Sequence, residues 1–160
     1  MNSYNIRCTP IESDIKRVKE ILEESKFFSD NEVTMGVSLV RTRLNNSKNC
    51  SYKFVFIEKD ETVVGYSCYG FIEGTKKSYD IYWIAVDQTY KRSGYGSVLL
   101  KTTEEAIKNN GGQNVYIETS STLKYLPTRK FYIDAGYKVA AEIKDFYDVN
   151  DNKVIYSKSL

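Results

Sequence analysis

Runs of β-branched and aromatic residues, several with apolar and polar positions in alternation, predict the strands of this chain of 160 residues. One short strand is expected before two helical segments, and six longer strands are expected after them. The charged segment Glu58–Glu61 separates two of the longer strands as a turn, which favours a hairpin. The predicted strands are Tyr4–Cys8, Tyr52–Ile57, Thr62–Phe71, Ser78–Val86, Val115–Thr119, Tyr137–Tyr147 and Lys153–Lys158.

Apolar residues spaced three or four positions apart predict four helices. Ser13 or Asp14 is expected to cap the first helix, and the second is expected to begin near Ser29 or Asp30. The third and fourth helices are expected at Tyr95–Lys108 and Thr128–Ala135. The inward face of the third is expected to carry Val98, Leu99, Thr102, Ala106 and Ile107. The order β-α-α-β-β-β-α-β-α-β-β predicts an α/β fold with a mixed sheet, in one domain over residues 1–160.

Charge and composition narrow the classes of partner. The net charge is only +2, with 41% hydrophobic and 28% charged residues, so neither nucleic-acid binding nor binding to a membrane surface is expected. No apolar run approaches the roughly 20 residues of a membrane span, and the first residues do not resemble a secretory signal. The three cysteines, Cys8, Cys50 and Cys68, have no CxxC spacing. They predict free thiols in a cytoplasmic protein.

The chain contains no histidine. This excludes Ser-His-Asp triads, Cys-His pairs and metal sites that depend on histidine ligands. Any proton transfer near neutral pH must therefore use carboxylates, tyrosine, lysine, cysteine or ordered water. We expect no metal.

The segment Lys91–Gly96 is the most informative part of the sequence. It follows the strand that ends at Val86 and leads directly into the third helix. The N-terminus of a helix presents free amides and a partial positive charge, and glycine at positions 94 and 96 lets a phosphate approach those amides. Lys91 or Arg92 would add charge. The pattern predicts a pyrophosphate site, although a tight turn from strand to helix would also use these glycines.

Two common phosphate motifs do not fit this segment. A dinucleotide fingerprint needs a third glycine where this chain has Leu99, and a P-loop needs Gly-Lys-Ser/Thr, which is absent. The pattern therefore favours a pyrophosphate carrier other than a dinucleotide or a nucleoside triphosphate. A protein that binds nucleotide phosphates is therefore a weaker alternative function for this chain.

Two motifs in register resemble the signatures of the GNAT acetyltransferases. The run IAV-x4-K-x-x-G-Y-G-x-x-LL, residues 84–100, resembles the first signature, with Lys91 where the family usually has Gln or Arg. Phe131-Tyr132-Ile133-Asp134-Ala135-Gly136-Tyr137 matches the second. The resemblance covers essentially the whole chain. It implies a mostly antiparallel mixed sheet that splays between strands 4 and 5, with helices on both faces.

The resemblance also implies acetyl-CoA as co-substrate. Backbone groups of Ile84, Ala85 and Val86 would bind the pantetheine arm. The pyrophosphate would be held by the loop and the first helical turn, which comprise Lys91, Arg92, Ser93, Gly94, Tyr95, Gly96 and Ser97. An acyl-CoA-binding regulatory module without turnover is the alternative function, and an intact Tyr132 argues against it.

The resemblance assigns the catalytic groups as well. Tyr132 matches the family tyrosine that protonates the departing thiolate, and Asp80 aligns with a strand glutamate that serves as general base in one branch. Glu118 is the competing base. The amine acceptor, a small molecule or a peptide, would attack the thioester directly in a ternary complex.

The acceptor side is expected to include Tyr82, which shares a strand face with Asp80, and Glu118, Ser120, Ser121 and Tyr125. Many family members carry Asn-x-x-Ala before the second signature, whereas this chain has Tyr125 and Thr128 at those positions. A contact from that Asn to pantetheine is therefore not expected here, and Tyr125 or Ser121 would have to replace it. The sequence does not identify the acceptor, and a homodimer is compatible with it.

Overall fold

A computed structural model describes residues 3–160 and contains seven strands and four α-helices in the predicted order. The first half of the chain provides β1 (Asn5–Arg7), α1 (Ser13–Glu24), α2 (Asp30–Asn45), β2 (Lys53–Lys59), β3 (Thr62–Phe71) and β4 (Ser78–Val86). The second half provides α3 (Tyr95–Asn109), β5 (Asn114–Ser120), α4 (Leu126–Asp134), β6 (Lys138–Asp148) and β7 (Asp151–Ser159).

The strands form a mixed sheet in the order β1-β2-β3-β4-β5-β7-β6. β4 and β5 are parallel, and their ladder runs from Ser78 opposite Asn114 to Asp80 opposite Tyr116, at the N-terminal ends of both strands. The pairs β1–β2, β2–β3, β5–β7 and β6–β7 are antiparallel. The predicted α/β class with a mostly antiparallel sheet is therefore confirmed.

The chain divides into two compact units. The first unit comprises the residues up to Gly70 and Trp83–Ala106, and the second comprises Phe71–Tyr82 and Ile107–Leu160. Within residues 3–160, no helix combines the length and the apolar character that a membrane span requires.

The core of the first unit lies between α1, α2 and the strands β2 and β3. Phe54 stacks on Phe56 with 5.6 Å between the ring centroids, and Phe56 stacks on Tyr66 at 6.2 Å. The apolar face of α1 and α2 covers these rings with Val18, Ile21, Leu22, Val33, Val37 and Val40. Burial of such side chains contributes about 1.5–3 kcal/mol each, so this cluster holds both helices on the sheet.

The N-terminus of α2 was predicted correctly. The Ser29 hydroxyl accepts a hydrogen bond from the Glu32 amide at 3.3 Å, and the Glu32 carboxylate accepts one from the Ser29 amide at 2.7 Å. This reciprocal capping box satisfies two amides that the helix leaves free.

The cap predicted for α1 was wrong. Glu12 occupies the cap position and makes no side-chain cap, while Asp14 lies in the first turn. The Asp14 carboxylate accepts a hydrogen bond from the Ile11 amide at 2.8 Å and two from the Arg7 guanidinium at 2.8 Å. Asp14, one of the two predicted cap residues, thus forms an ion pair with Arg7 on β1 instead of capping the helix.

The buried face of α3 differs partly from the prediction. Tyr95, Leu99, Thr103 and Ile107 are buried at intervals of four residues, whereas Val98, Thr102 and Ala106 are only half-buried. Burial of Thr103 is tolerated because its hydroxyl shares a 2.6 Å hydrogen bond with that of Ser67 and donates to the Leu99 carbonyl at 2.7 Å. Paired polar atoms of this kind cost little to bury.

The second unit has an aromatic core beside α4. Tyr132 contacts Tyr137 and Tyr156, each with 5.9 Å between ring centroids. Val115, Ile117 and Val154 on β5 and β7 complete the buried face. α4 begins at Leu126, two residues before the predicted start, with Pro127 in its first turn.

Candidate active site

The predicted pyrophosphate loop belongs to the first unit and has the backbone that the glycines suggested. A short 3-10 helix, Gln88–Tyr90, leads into it, and α3 begins at Tyr95. Gly94 has φ +83°, and a Cβ added there would meet nothing within 4 Å. Arg92 also has a positive φ, +62°. The space in front of Gly94 is thus open to a ligand.

The first turn of α3 offers free amide donors. The Val98 amide donates to the Gly94 carbonyl at 3.1 Å and closes the first helical turn. The amides before Val98 precede the first possible acceptor within the helix, and Gly94 has no side chain to cap them. Lys91 and Arg92 are exposed beside them. Free amides, a helix N-terminus and two cations suit the chemistry of a pyrophosphate.

Tyr95 directs its ring away from this opening. The side chain is 5% exposed, and the ring contacts those of Tyr4 at 6.1 Å and Tyr90 at 6.0 Å. Its hydroxyl is buried without a hydrogen-bond partner among residues 3–160. Only the backbone of Tyr95 is therefore positioned to contact a phosphate.

The end of β4 presents its backbone in alternating directions. The Asp87 amide donates to the Val64 carbonyl at 2.8 Å, and the Ala85 carbonyl oxygen lies 3.1 Å from the position that a Cβ on Gly65 would take. Ala85 and Asp87 thus direct their polar groups toward β3. Because polar groups alternate along a strand, those of Ile84 and Val86 point to the opposite edge of β4.

In the second unit, Tyr132 is almost completely buried. It is 4% exposed, and its ring lies among Phe131, Tyr137 and Tyr156. Burial raises the pKa of Tyr132 above its usual value, because the apolar surroundings disfavour the phenolate. The phenol therefore keeps its proton at neutral pH.

Asp80 is half-buried on β4. Partial burial and the nearby Glu118 carboxylate together raise its pKa to about 6, against the opposing effect of Lys153. A carboxyl group with this pKa is mostly ionised at pH 7 but still accepts a proton readily, which are the properties of a general base.

Glu118 is engaged in an ion pair. Its Oε2 lies 2.7 Å from Nζ of Lys153, and Nζ lies 3.8 Å from the ring centroid of Phe146. The Lys153 side chain is only 14% exposed. Because this ion pair occupies the Glu118 carboxylate, the arrangement favours Asp80 over Glu118 as base.

Strand register places Asp80 and the aromatic cluster around Tyr132 on opposite faces of the second unit's sheet. Asp80 pairs with Tyr116 of β5, so alternation puts Glu118 on the face of Asp80. Ile117 points to the other face and pairs with Tyr156, which contacts Tyr132.

Ser120, the last residue of β5, and Ser121, the next residue, both use their hydroxyls in hydrogen bonds to the start of β7. The Ser120 hydroxyl donates to Oδ1 of Asp151 at 2.5 Å, and that of Ser121 accepts a hydrogen bond from the Asn152 amide at 2.8 Å. Arg129 donates to the carbonyls of Ser120 and Thr122 at 2.8 Å each. These hydroxyls thus fix the end of β5 against the start of β7.

The remaining acceptor candidates are both aromatic. Tyr82 is 38% exposed on β4, and Tyr125 is half-buried immediately before α4, where Nζ of Lys124 lies 5.9 Å from its ring centroid. Sequence reasoning missed Lys153, whose approach to Glu118 depends on the pairing of Ser120 with Lys153 across two strands. No local pattern around Lys153 signals that contact.

Comparison with known proteins identifies the family. Residues 15–137 match the model of the acetyltransferase (GNAT) family. A structure from Desulfovibrio desulfuricans, assigned to the GNAT acetyltransferases, is 36% identical, with a TM-score of 0.94 and coverage of 98% of this chain and 99% of that one. A comparison with curated proteins gave no significant match.

Two more distant structures share the fold. The ribosomal-protein-S18-alanine N-acetyltransferase of Escherichia coli is 16% identical, with a TM-score of 0.76 over 98% of this chain and 94% of that one. The PaiA N-acetyltransferase of Thermoplasma acidophilum, solved in complex with coenzyme A, is 18% identical, with a TM-score of 0.75 over 99% of both chains. The family-model match and the structure at 36% identity together show that this chain belongs to the GNAT family of acetyltransferases.

Proposed function

We propose that this chain is a single-domain N-acetyltransferase that uses acetyl-CoA to acetylate a primary amine, on a small molecule or a peptide, by direct attack in a ternary complex. The observation that carries the proposal is the pair of proton-transfer groups in the second unit. A carboxyl with a pKa near 6 and a buried phenol lie on opposite faces of one sheet.

The loop of the first unit fits the pyrophosphate of CoA. Gly94 leaves open space before the free amides of α3, and the exposed Lys91 and Arg92 supply positive charge. Amides of Arg92–Ser97 would hold the phosphates, except that of Ser93, which donates to the Tyr90 carbonyl. The backbone of Ile84 and Val86 would bind the pantetheine arm. The CoA complex of the Thermoplasma acidophilum protein supports this assignment by analogy of fold.

When bound, acetyl-CoA supplies an acetyl group activated as a thioester. Asp80 accepts the proton that the acceptor amine loses, directly or through one water molecule. Amides near the end of β4 donate hydrogen bonds to the thioester oxygen and stabilise the charge that develops there. Tyr132 donates its proton to the sulfur that leaves, and the raised pKa of Tyr132 keeps that proton available at neutral pH.

A thiol-release assay tests the proposal. The purified protein is mixed with acetyl-CoA and a panel of primary amines, namely amino acids, polyamines, aminoglycosides and peptides with free N-termini, and free CoA thiol is measured with a chromogenic disulfide. We expect amine-dependent release by the wild type and strongly reduced release by Tyr132→Phe. Tight CoA binding without release for any amine would favour the non-catalytic module instead, and preference for ATP or NAD over CoA in a thermal-shift comparison would contradict the cofactor assignment.

A further inference from the structure

Arg17 on α1 contacts Asp87, the residue that follows β4 and lies four positions before the predicted pyrophosphate loop Lys91–Gly96. Its Nε donates to the Val63 carbonyl at 2.8 Å, and its Nη2 pairs with the carboxylate of Asp87, immediately after β4. The side chains of Arg17 and Asp87 are 19% and 6% exposed. The guanidinium therefore joins α1, the start of β3 and the end of β4 at one point within the first unit.

Asp87 in turn sets the path of the backbone through the loop. Its Oδ1 accepts a hydrogen bond from the Thr89 amide at 2.7 Å, and its carbonyl accepts one from the Tyr90 amide at 2.9 Å. The Tyr90 carbonyl then accepts one from the Ser93 amide at 3.3 Å. Gly94, the next residue, precedes the first turn of α3. A shift of Asp87 would thus be transmitted through successive turns to the amides proposed to hold the phosphates.

The charge of Asp87 depends on this arrangement. Burial by itself would raise the pKa of Asp87, but hydrogen bonds from Arg17 and Thr89 lower it below its usual value. Without Arg17, the carboxylate would remain buried and lose the cation that compensates it, which is costly. The loop would then relax to expose or reorient Asp87.

We propose that Arg17 is a positioning residue for CoA binding, which holds the loop from Asp87 to Gly94 in the conformation that presents its amides to the pyrophosphate. The inference rests on the proposed function, since it assumes that the loop binds CoA. Arg17 contacts Asp87, the Val63 carbonyl and, at 3.4 Å, the Glu20 carboxylate on its own helix, and it acts on the ligand only through Asp87 and Val63. No sequence motif marks it, because Arg17 is 70 positions away from Asp87 in the chain.

The chain contains a closely matched control in Arg7. This arginine also pairs with a buried aspartate, Asp14, and the two side chains are 21% and 3% exposed. Its other hydrogen bonds go to Glu58 at 2.6 Å and to the Thr9 carbonyl at 2.7 Å. Arg7 therefore has the same chemistry and burial as Arg17 but none of its hydrogen bonds reaches the loop.

The test compares Arg17→Lys with Arg7→Lys by calorimetric titration of CoA and by thermal unfolding without ligand. Lysine keeps the charge but cannot donate to two acceptors in fixed directions as the guanidinium does. We expect Arg17→Lys to weaken CoA binding about tenfold, or about 1.4 kcal/mol, while Arg7→Lys stays within twofold of the wild type despite a comparable loss of thermal stability. Asp87→Asn, which keeps the size of the side chain, should weaken binding like Arg17→Lys.

Wild-type affinity in Arg17→Lys and Asp87→Asn would overturn the proposal. Equal weakening in Arg7→Lys would also overturn it, since the effect would then be a general loosening of the first unit. If the wild type itself fails to bind CoA, the proposed function fails first and the role of Arg17 falls with it. Wild-type binding thus separates failure of the function from failure of this inference.

Discussion

Replacing Asp80 with asparagine should stabilise the folded protein above pH 6 and reduce its activity at the same time. Partial burial and the charge of Glu118 raise the pKa of Asp80 from 3.8 to about 6 in the folded state. The folded state therefore binds the Asp80 proton more tightly than the unfolded state does. Between these two pKa values, stability must fall as pH rises, and above pH 6 the full cost of the buried charge is present.

The size of this cost follows from the pKa difference. A difference of about 2 corresponds to about 3 kcal/mol at full strength, but the carboxyl is half-exposed and screened by solvent, so we expect about 1 kcal/mol. For a chain of this length, such a change raises the melting temperature by about 2–4 °C. Asparagine does not titrate, so the gain of Asp80→Asn over the wild type should be present at pH 8 and vanish near pH 4.

Thermal unfolding at a series of pH values measures this effect without knowledge of the acceptor. Asp134→Asn is the control, because Asp134 is 61% exposed and forms only a surface ion pair with Lys130, which should contribute little at any pH. If Asp80→Asn is neutral or destabilising at pH 8, the electrostatic account of Asp80 as a costly buried base is refuted. With an acceptor identified, the variant should also lose kcat/KM most strongly at low pH, where the amine is protonated in solution.

Further predictions concern the acid, the loop and the second carboxylate. Tyr132→Phe should keep the fold and the CoA affinity but lower kcat about 100-fold; a loss below about threefold, with chemistry rate-limiting, would exclude the acid role. Gly94→Asp should abolish the rise in melting temperature that CoA produces in the wild type, whereas Gly74→Asp should retain it, because Gly74 has the same φ of +83° and equally open surroundings but lies outside the loop. Undiminished CoA binding by Gly96→Asp would likewise count against the pyrophosphate assignment. Glu118→Gln should give a smaller and flatter loss of kcat/KM across pH than Asp80→Asn, and the reverse pattern would move the base to Glu118.

Local chemistry made much of the fold predictable. The bounds of β4, Ser78–Val86, and the capping box at Ser29 follow from residues close together in the sequence, and the structure has both. The two GNAT signatures likewise depend on short spacings. The cap of α1 was not predictable in the same way, because the Asp14 carboxylate accepts two hydrogen bonds from the Arg7 guanidinium on β1.

The charges around the candidate site depend on how β5 and β7 pair, and the sequence alone does not determine that pairing. Lys153 reaches Glu118 only because β7 lies beside β5 in one particular register. A slip of one residue would turn every side chain of β7 to the other face. The pKa of Asp80, which depends on both of those groups, therefore could not be anticipated from the strand position of Asp80 alone.

One physical cause underlies the different roles proposed for Tyr132 and Asp80. Burial raises the pKa of both groups, because low polarity disfavours the charged form of any acid. For a phenol, a raised pKa keeps the proton in place at neutral pH, as a general acid requires. For a carboxylate, a pKa raised to about 6 allows it to accept a proton near neutral pH, as a general base requires. One sheet can hold both groups, because side chains alternate along β5 between an apolar aromatic face beside Tyr132 and a half-exposed charged face beside Asp80. Activity limited by these two groups should therefore rise with pH through about 6, as Asp80 ionises, and should not fall until well above the usual pKa of tyrosine, about 10.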